Sequence, residues 1–202
     1  MTDSDRECYK KEIRNRLTDW RYRHSVNVAA EAVRLAKKYG ADPARAELAG
    51  LLHDITKDMS KKEQLAFMEQ YGVALNVYDQ RAPKLWHAIT GAVYVERVLR
   101  VGDEDIWNAI RYHTTGRAGM SLLEKIVYVA DCTSKERDYE GVEKIRKAAD
   151  VSLEAAMEEA LAASLRDRLD DRTPMHPDTV AAYNELLLAK GTKPEKNDKK
   201  KA

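Results

Sequence analysis

Apolar residues recur at three- and four-residue intervals along almost the whole chain, and no segment alternates long enough to suggest a strand. Between Trp20 and Tyr39, Val26, Ala29, Ala30, Val33 and Ala36 form one stripe, and Gly40 supplies a stop. Asp42 reads as an N-cap with Pro43 at the first helical position, for a helix running through Leu48, Leu51 and Leu52. Ser60 and Glu63 have capping-box spacing at the head of a helix that ends at Gly72. Pro83 opens a helix with Ala88, Ala92, Val95 and Leu99 on its apolar face. Asp103 caps a short helix ending near His113, and "TTGRAGM" follows as a loop. Ser121 and Glu124 repeat the capping-box spacing before a helix that reaches Asp131. A long amphipathic segment from Val151 to about Leu169 and a Pro177-led helix ending near Gly191 complete the pattern. It predicts an all-α fold in one domain over residues 9–190, with a disordered basic tail over residues 191–202.

Charge excludes some function classes. Lys plus Arg number 35 against 34 Asp plus Glu, so the chain lacks the basic excess of a nucleic-acid binder. No apolar run approaches the roughly 20 residues of a membrane helix, and no membrane partner is expected. The charged stretch from Asp3 to Lys11 carries no signal-peptide core. Cys8 and Cys132 make neither a disulfide framework nor a CxxC pair, which points to a reducing cytoplasm.

The chain has only five histidines. His24, His53, His87 and His113 lie on or at the ends of four different predicted helices, at the edges of apolar runs. Each alone reads as a satisfied polar group, and His113 as a favourable cation at a helix C-terminus. Asp54 and Asp131 occupy the same kind of position, and an isolated buried carboxylate is too costly to keep without a partner. Imidazoles and carboxylates gathered around a cation supply that partner. Such a donor set, without thiolate, suits iron, manganese or zinc. Neighbours on a helix point about 100° apart, so His53 and Asp54 either reach two sides of one site or let Asp54 bridge two ions. Cys132 reads as a small hydrophobe. Trp20, Tyr22, Trp86 and Trp107 read as core aromatics before they read as base-stacking platforms.

The stretches "RYRHSVNVA", "LLHDITKD", "LWHAITGA", "AIRYHTTGRAGMSLLEKIVYVAD" and "HPDTVAAYNELL" together resemble the YqeK-type bacterial HD-domain phosphohydrolases, over roughly residues 10–188. The His-Asp pair alone is a weak signal; the ordered set is specific. The resemblance implies a single HD-domain helical bundle over residues 9–190 with a dinuclear metal site. It implies metal-dependent cleavage of symmetrical dinucleoside tetraphosphates, diadenosine tetraphosphate among them, to two ADP. His24, His53, Asp54 and Asp131 would hold one ion; His87 and His113, with Asp54 bridging, would hold the second. The family metal is iron, with manganese or zinc compatible. These six ligands would also be the catalytic residues, and Asp54, His87, His113 and Asp131 would touch substrate as well.

Lys57, one turn past the pair, is expected at the same mouth as a compact cation for phosphate. Thr114 and Thr115 follow a ligand in a loop, with hydroxyls and amides suited to phosphate, and Arg117 is a further candidate there. Arg137 matches a substrate-contacting arginine of the family. His176 precedes a helix N-terminus, an end that favours anions. The resemblance sets Thr173, Pro174, Met175, His176, Pro177 and Asp178 around the nucleotide. The expected partner is a small-molecule nucleotide, and a homodimer is the assembly left open. The alternatives are an HD phosphohydrolase of nucleoside monophosphates or alarmone nucleotides, and a catalytically weak nucleotide sensor.

Overall fold

In the computed structural model, which describes residues 3–190, the described residues form eleven α-helices and no strand. The tail expected to be disordered, residues 191–202, lies outside the described residues. Helix α1 spans Asp3–Arg16 and α2 spans Asp19–Tyr39. Gly40 ends α2 at φ 78°, and its N–H donates to the Ala36 carbonyl. In α3 (Pro43–Leu52) the Asp42 side chain accepts from the Ala44 and Arg45 amides. Ser60 and Glu63 form both halves of their capping box at the start of α4 (Lys61–Gln70).

The Pro83-led segment departs from the single helix expected. A 3-10 turn at Pro83–Leu85 leads into α6 (Trp86–Val93), which continues as a π turn over Tyr94–Val98. Helix α7 (Glu104–Arg111) follows the Asp103 cap. At the head of α8 (Leu122–Thr133) the second capping box is only half made. The Ser121 hydroxyl accepts from the Glu124 amide, while the Glu124 carboxylate turns to Arg117, at 2.6 and 3.0 Å. Three helices had no sequence forecast: α1, α5 (Val77–Arg81) and α9 (Val142–Val151). Val151 closes α9, and Ser152 caps α10 (Leu153–Asp170), so the amphipathic segment starts two residues later than expected. Helix α11 spans Pro177–Ala189.

The core collects Val28, Ala32 and Leu35 from α2, Leu51 and Leu52 from α3, Ile110 from α7, and Ile126 and Val129 from α8, all buried. Each such Leu or Ile stabilises the fold by about 1.5–3 kcal/mol. Helices α2 and α3 approach closely at Gly50, where a Cβ would sit 2.9 Å from the Ala29 Cα. That contact brings the end of α3 against the middle of α2, just beyond the turn that carries His24. Helix α10 packs on α8, α9 and α11. No helix among the described residues is long and apolar enough to cross a membrane.

Candidate metal centre and substrate cleft

Five elements converge on one buried polar cluster. His24 projects from the inward face of α2, which also carries the buried Ser25, Val28 and Ala32. His53 is the C-cap of α3. Asp54 lies in the tight turn beyond it, where the Ile55 amide bonds the Leu52 carbonyl (3.1 Å) and the Lys57 amide bonds the Asp54 carbonyl (2.8 Å). The pair is therefore not spread over a helix surface, as expected; the turn aims both side chains at one centre. His87 comes from the first turn of α6, His113 follows α7 by two residues, and Asp131 is in the last turn of α8. All six are buried except Asp131, which is partly so.

The two oxygens of Asp54 face different groups. Oδ2 lies 3.7 Å from His53 Nε2 and 4.0 Å from His24 Nε2. Asp131 Oδ1 completes that group, 3.1 Å from His24 Nε2 and 3.9 Å from His53 Nε2. Oδ1 of Asp54 lies 3.2 Å from His87 Nε2 and 3.6 Å from His113 Nε2, and those two ring nitrogens are 3.2 Å apart. Donor atoms around one ion, bound at 2.0–2.2 Å, stand about 3–3.5 Å from one another. Most of these separations fall in or just beyond that range, and His24, His53 and Asp131, like His53, Asp54 and His113, form compact metal-ready groups.

Hydrogen bonding assigns the ring faces. His53 Nδ1–H donates to the Gly50 carbonyl and His113 Nδ1–H to the Ile110 carbonyl, each at 2.7 Å. Their Nε2 atoms are then lone-pair ends, and both point at a buried carboxylate. Oδ1 of Asp54 is itself buried with no hydrogen-bond partner among the described residues. Lone pairs facing an anion repel, and an unpaired buried oxygen costs about 1–3 kcal/mol or more. A cation on each side of Asp54 resolves both, so the residues fit a dinuclear site. Behind His24, the Glu136 carboxylate receives Nδ1 and is held by the Asn27 amide (2.6 Å) and the Ser134 hydroxyl (2.8 Å). Such a carboxylate fixes a metal-ligating ring and raises its basicity.

A model of the HD domain family matches residues 21–184. The chain belongs to the HD domain family. It is 39% identical over 175 residues to the symmetrical bis(5'-nucleosyl)-tetraphosphatase of Bacillus subtilis, covering 87% of this chain and 94% of that one. A protein of the same name from Halalkalibacterium halodurans is 40% identical over 176 residues, with the same coverage. A crystal structure from Clostridium acetobutylicum, described as a predicted HD superfamily hydrolase involved in NAD metabolism, superposes with a TM-score of 0.88 at 36% identity, covering 94% of this chain and 99% of that one.

Three cations ring the HD cluster. Lys57 Nζ lies 2.9 Å from His87 Nε2 and 3.9 Å from Asp54 Oδ1. Arg21 Nη1 is 3.7 Å from Asp54 Oδ2, and Arg137 bonds the Asp131 carboxylate and, at 2.9 Å, its carbonyl. Burial raises Asp54, but the positive charge that its neighbouring imidazoles carry once protonated, that of His53 foremost, outweighs it and holds the carboxyl well below its ordinary range. Burial also raises Asp131, and the hydrogen bond from His24 and the charge of Arg137 pull it well below.

Burial takes His53 down to about 3 and His87 to about 4. Both rings are thus neutral at pH 7 and ready to ligate. A base whose folded pKa is depressed contributes stability above its unfolded value of about 6.5, and loses it as pH falls toward the folded one. The metal-free protein should therefore lose about 1.4 kcal/mol per pH unit for each of the two rings between pH ~6.5 and ~4. For His24, burial lowers the pKa, and bonds to Asp131 and Glu136 overcome it to a raised value, so its contribution runs the other way above about 6.5. Thermal midpoints of the metal-free protein across pH 4–7 check this; a flat profile contradicts it.

Beside the cluster opens a cleft of about 600 Å³. Thr114, Thr115, Thr173, Pro174, Met175 and His176 line it together; Pro177 and Asp178 do not, and Lys57 and Arg137 stand at the metal cluster instead. The hydroxyls of Thr114 and Thr115 are buried without a hydrogen-bond partner among the described residues. His176 has both ring nitrogens engaged: Nδ1 accepts from the Asp178 amide at 3.2 Å, and Nε2 faces Asp79 Oδ1 at 3.3 Å. It caps α11 and ties it to α5, so it offers the cleft a ring surface and no free hydrogen bond. Arg117 is committed to the buried Glu124 and is not open to phosphate.

Sequence reasoning missed Arg81, Lys84 and Arg168 in the cleft, and Arg21, Asn27 and Glu136 at the metal cluster. Arg21 and Asn27 carried a usable signal, lying three residues either side of His24 and so on its face of α2. Trp20, expected in the core, is 50% exposed and stacks on His24 with ring centres 5.6 Å apart. Trp86 is buried and donates to the Asp79 carbonyl at 2.7 Å, while Tyr22 and Trp107 pack against the core from its edge.

Proposed function

We propose that this HD domain hydrolyses symmetrical dinucleoside tetraphosphates, diadenosine tetraphosphate above all, to two ADP at a dinuclear centre. The observation that carries the reading is the Asp54 carboxylate, with an orphaned Oδ1 and one oxygen toward each histidine group. The activity class comes from the tetraphosphatase name of the relatives, which this chain matches over nearly their whole length.

His24, His53, Asp54 and Asp131 would hold one ion, and His87, His113 and Asp54 the other. An all N/O donor set suits iron, which we favour, and also manganese or zinc. When bound, two such ions lower the pKa of water and offset charge on a phosphoryl group. The chain's own residues do the rest. Lys57, Arg21 and Arg137 ring the metal cluster, and their charge meets phosphoryl oxygens. Thr114 and Thr115 offer hydroxyls that lack partners among the described residues. The residues from Thr173 to Asp178, with Tyr78, wall and brace a cleft of nucleoside size, and Arg81, Lys84 and Arg168 give it positive charge. Glu136 fixes His24 from behind, and Arg137 also holds Asp131 in place.

A cleft that binds one ADP-like half sets the next phosphorus over the metal cluster. Water oxygen bonds to that phosphorus, the central bridging oxygen leaves with the other half, and each product is ADP. Hydrolysis in oxygen-18 water should yield ADP alone, with label in one of the two molecules per turnover. AMP and ATP as primary products would overturn this register. The reading also includes residence in a reducing cytoplasm, consistent with two free cysteines, and a homodimer, checked by sedimentation.

A further inference from the structure

A second, smaller pocket of about 270 Å³ adjoins the metal cluster, bounded there by His113 and Asp131 and sharing Thr114 and Ser164 with the large cleft. The two cavities differ in charge. The large one has Lys61, Arg81, Lys84, Arg168 and Asp171 in its wall; the small one has no lysine or arginine among its lining residues, which include Asp131 and Asp167, and Arg137 beside it is bonded to Asp131. Its walls are the apolar Ile145, Ala160 and Ala163, with the rings of Tyr128 and Tyr139. A phosphate group would meet no lysine or arginine in that wall, and the neighbouring Arg137 is already engaged by Asp131. Tyr139 is 40% exposed, yet its hydroxyl donates to the Cys132 carbonyl at 2.8 Å, which pins the ring in place. A fixed, half-exposed aromatic ring beside apolar walls is a stacking platform for a flat, uncharged group.

Resting on the proposed tetraphosphatase reading, we infer that this pocket between α8 and α10 is the subsite for the second nucleoside. The large cationic cleft takes one nucleotide half, the phosphate chain crosses at Thr114 over the metal cluster, and the base and ribose of the other half enter against Tyr139. Asp167, exposed at the rim, is available to a ribose or base donor. The pocket thus separates substrates with a nucleoside at both ends from those with one.

The test compares two substrates with the same phosphate chain, diadenosine tetraphosphate and adenosine 5'-tetraphosphate, on the metal-loaded wild type, Ala163→Phe and Tyr139→Ala. Ala163→Phe fills the pocket; Tyr139→Ala removes the platform. Stacking on one aromatic ring contributes about tenfold to a hundredfold in binding. Each variant should lose that much kcat/KM on the dinucleotide, mainly through KM, and keep wild-type kcat/KM on the mononucleoside substrate. Retained mononucleoside turnover also shows that the variant has folded and kept its metals. Equal losses on both substrates, or no loss on either, would overturn the subsite. If the wild type cleaves neither substrate, the phosphohydrolase reading itself fails, and the subsite with it.

Discussion

Asp54→Ala should lower kcat/KM by about a thousandfold or more, beyond any single histidine change. Removing one preorganised electrostatic group from an active site typically costs 10²–10³-fold, and Asp54 serves two groups at once. Each histidine touches one group: His24 and His53 face Oδ2, while His87 and His113 face Oδ1. Losing a histidine leaves the other group with its carboxylate. Losing Asp54 leaves His87 and His113 with no anion at that distance and reduces the first group to His24, His53 and Asp131. Asp54→Asn keeps the shape and discards the charge, so it separates electrostatics from packing. Steady-state kinetics with metal content measured on the same samples, and circular dichroism to confirm the fold, check the result. Near-normal turnover in either variant would remove Asp54 from its bridging role.

Stripping the metals should both abolish activity and destabilise the protein. The cluster sets the buried Asp54 and the partly buried Asp131 among four imidazoles, with two lone pairs aimed at Asp54. Without metal ions, Lys57, Arg21 and Arg137 offset that charge from the edge. A ligand at about a thousand times its Kd stabilises the folded state by about 4 kcal/mol. For a chain of this size each kcal/mol moves the thermal midpoint by about 2–4 °C, so chelation should lower it by about 8–16 °C. Readdition of the metal should restore both properties. An unchanged midpoint after verified metal removal would mean that the cluster holds no ion tightly.

Much of the fold was legible because helix boundaries are local. Gly40, Asp42, Ser60 and Asp103 stop or start helices through their own side chains or backbone, and each acts where its chemistry directs. The misses have physical causes. Helix α1 is mostly charged, and it is held partly by the Arg6 to Glu47 pair at 2.6 Å, a contact 41 residues apart that no periodicity reveals. Helix α5 is five residues long, too short for an apolar stripe. The Glu124 spacing was that of a capping box, but Arg117 competes for the carboxylate across a loop.

The site divides the same way. Four histidines and two aspartates at the edges of apolar runs pointed to one buried cluster, since burial of such groups demands compensation. The split of Asp54 between two groups depends on a turn after α3 and on five elements meeting, and neither is written in the local sequence. Glu136 and Arg168 reached their positions through tertiary packing, with nothing in their neighbourhoods to mark them.

The most direct measurement is the number of metal ions per chain in protein purified anaerobically from metal-replete cells, by elemental analysis against an independent protein concentration. Two ions per chain, falling to one or none in Asp54→Ala, is the expected result. One ion or none in the intact protein would contradict the dinuclear centre.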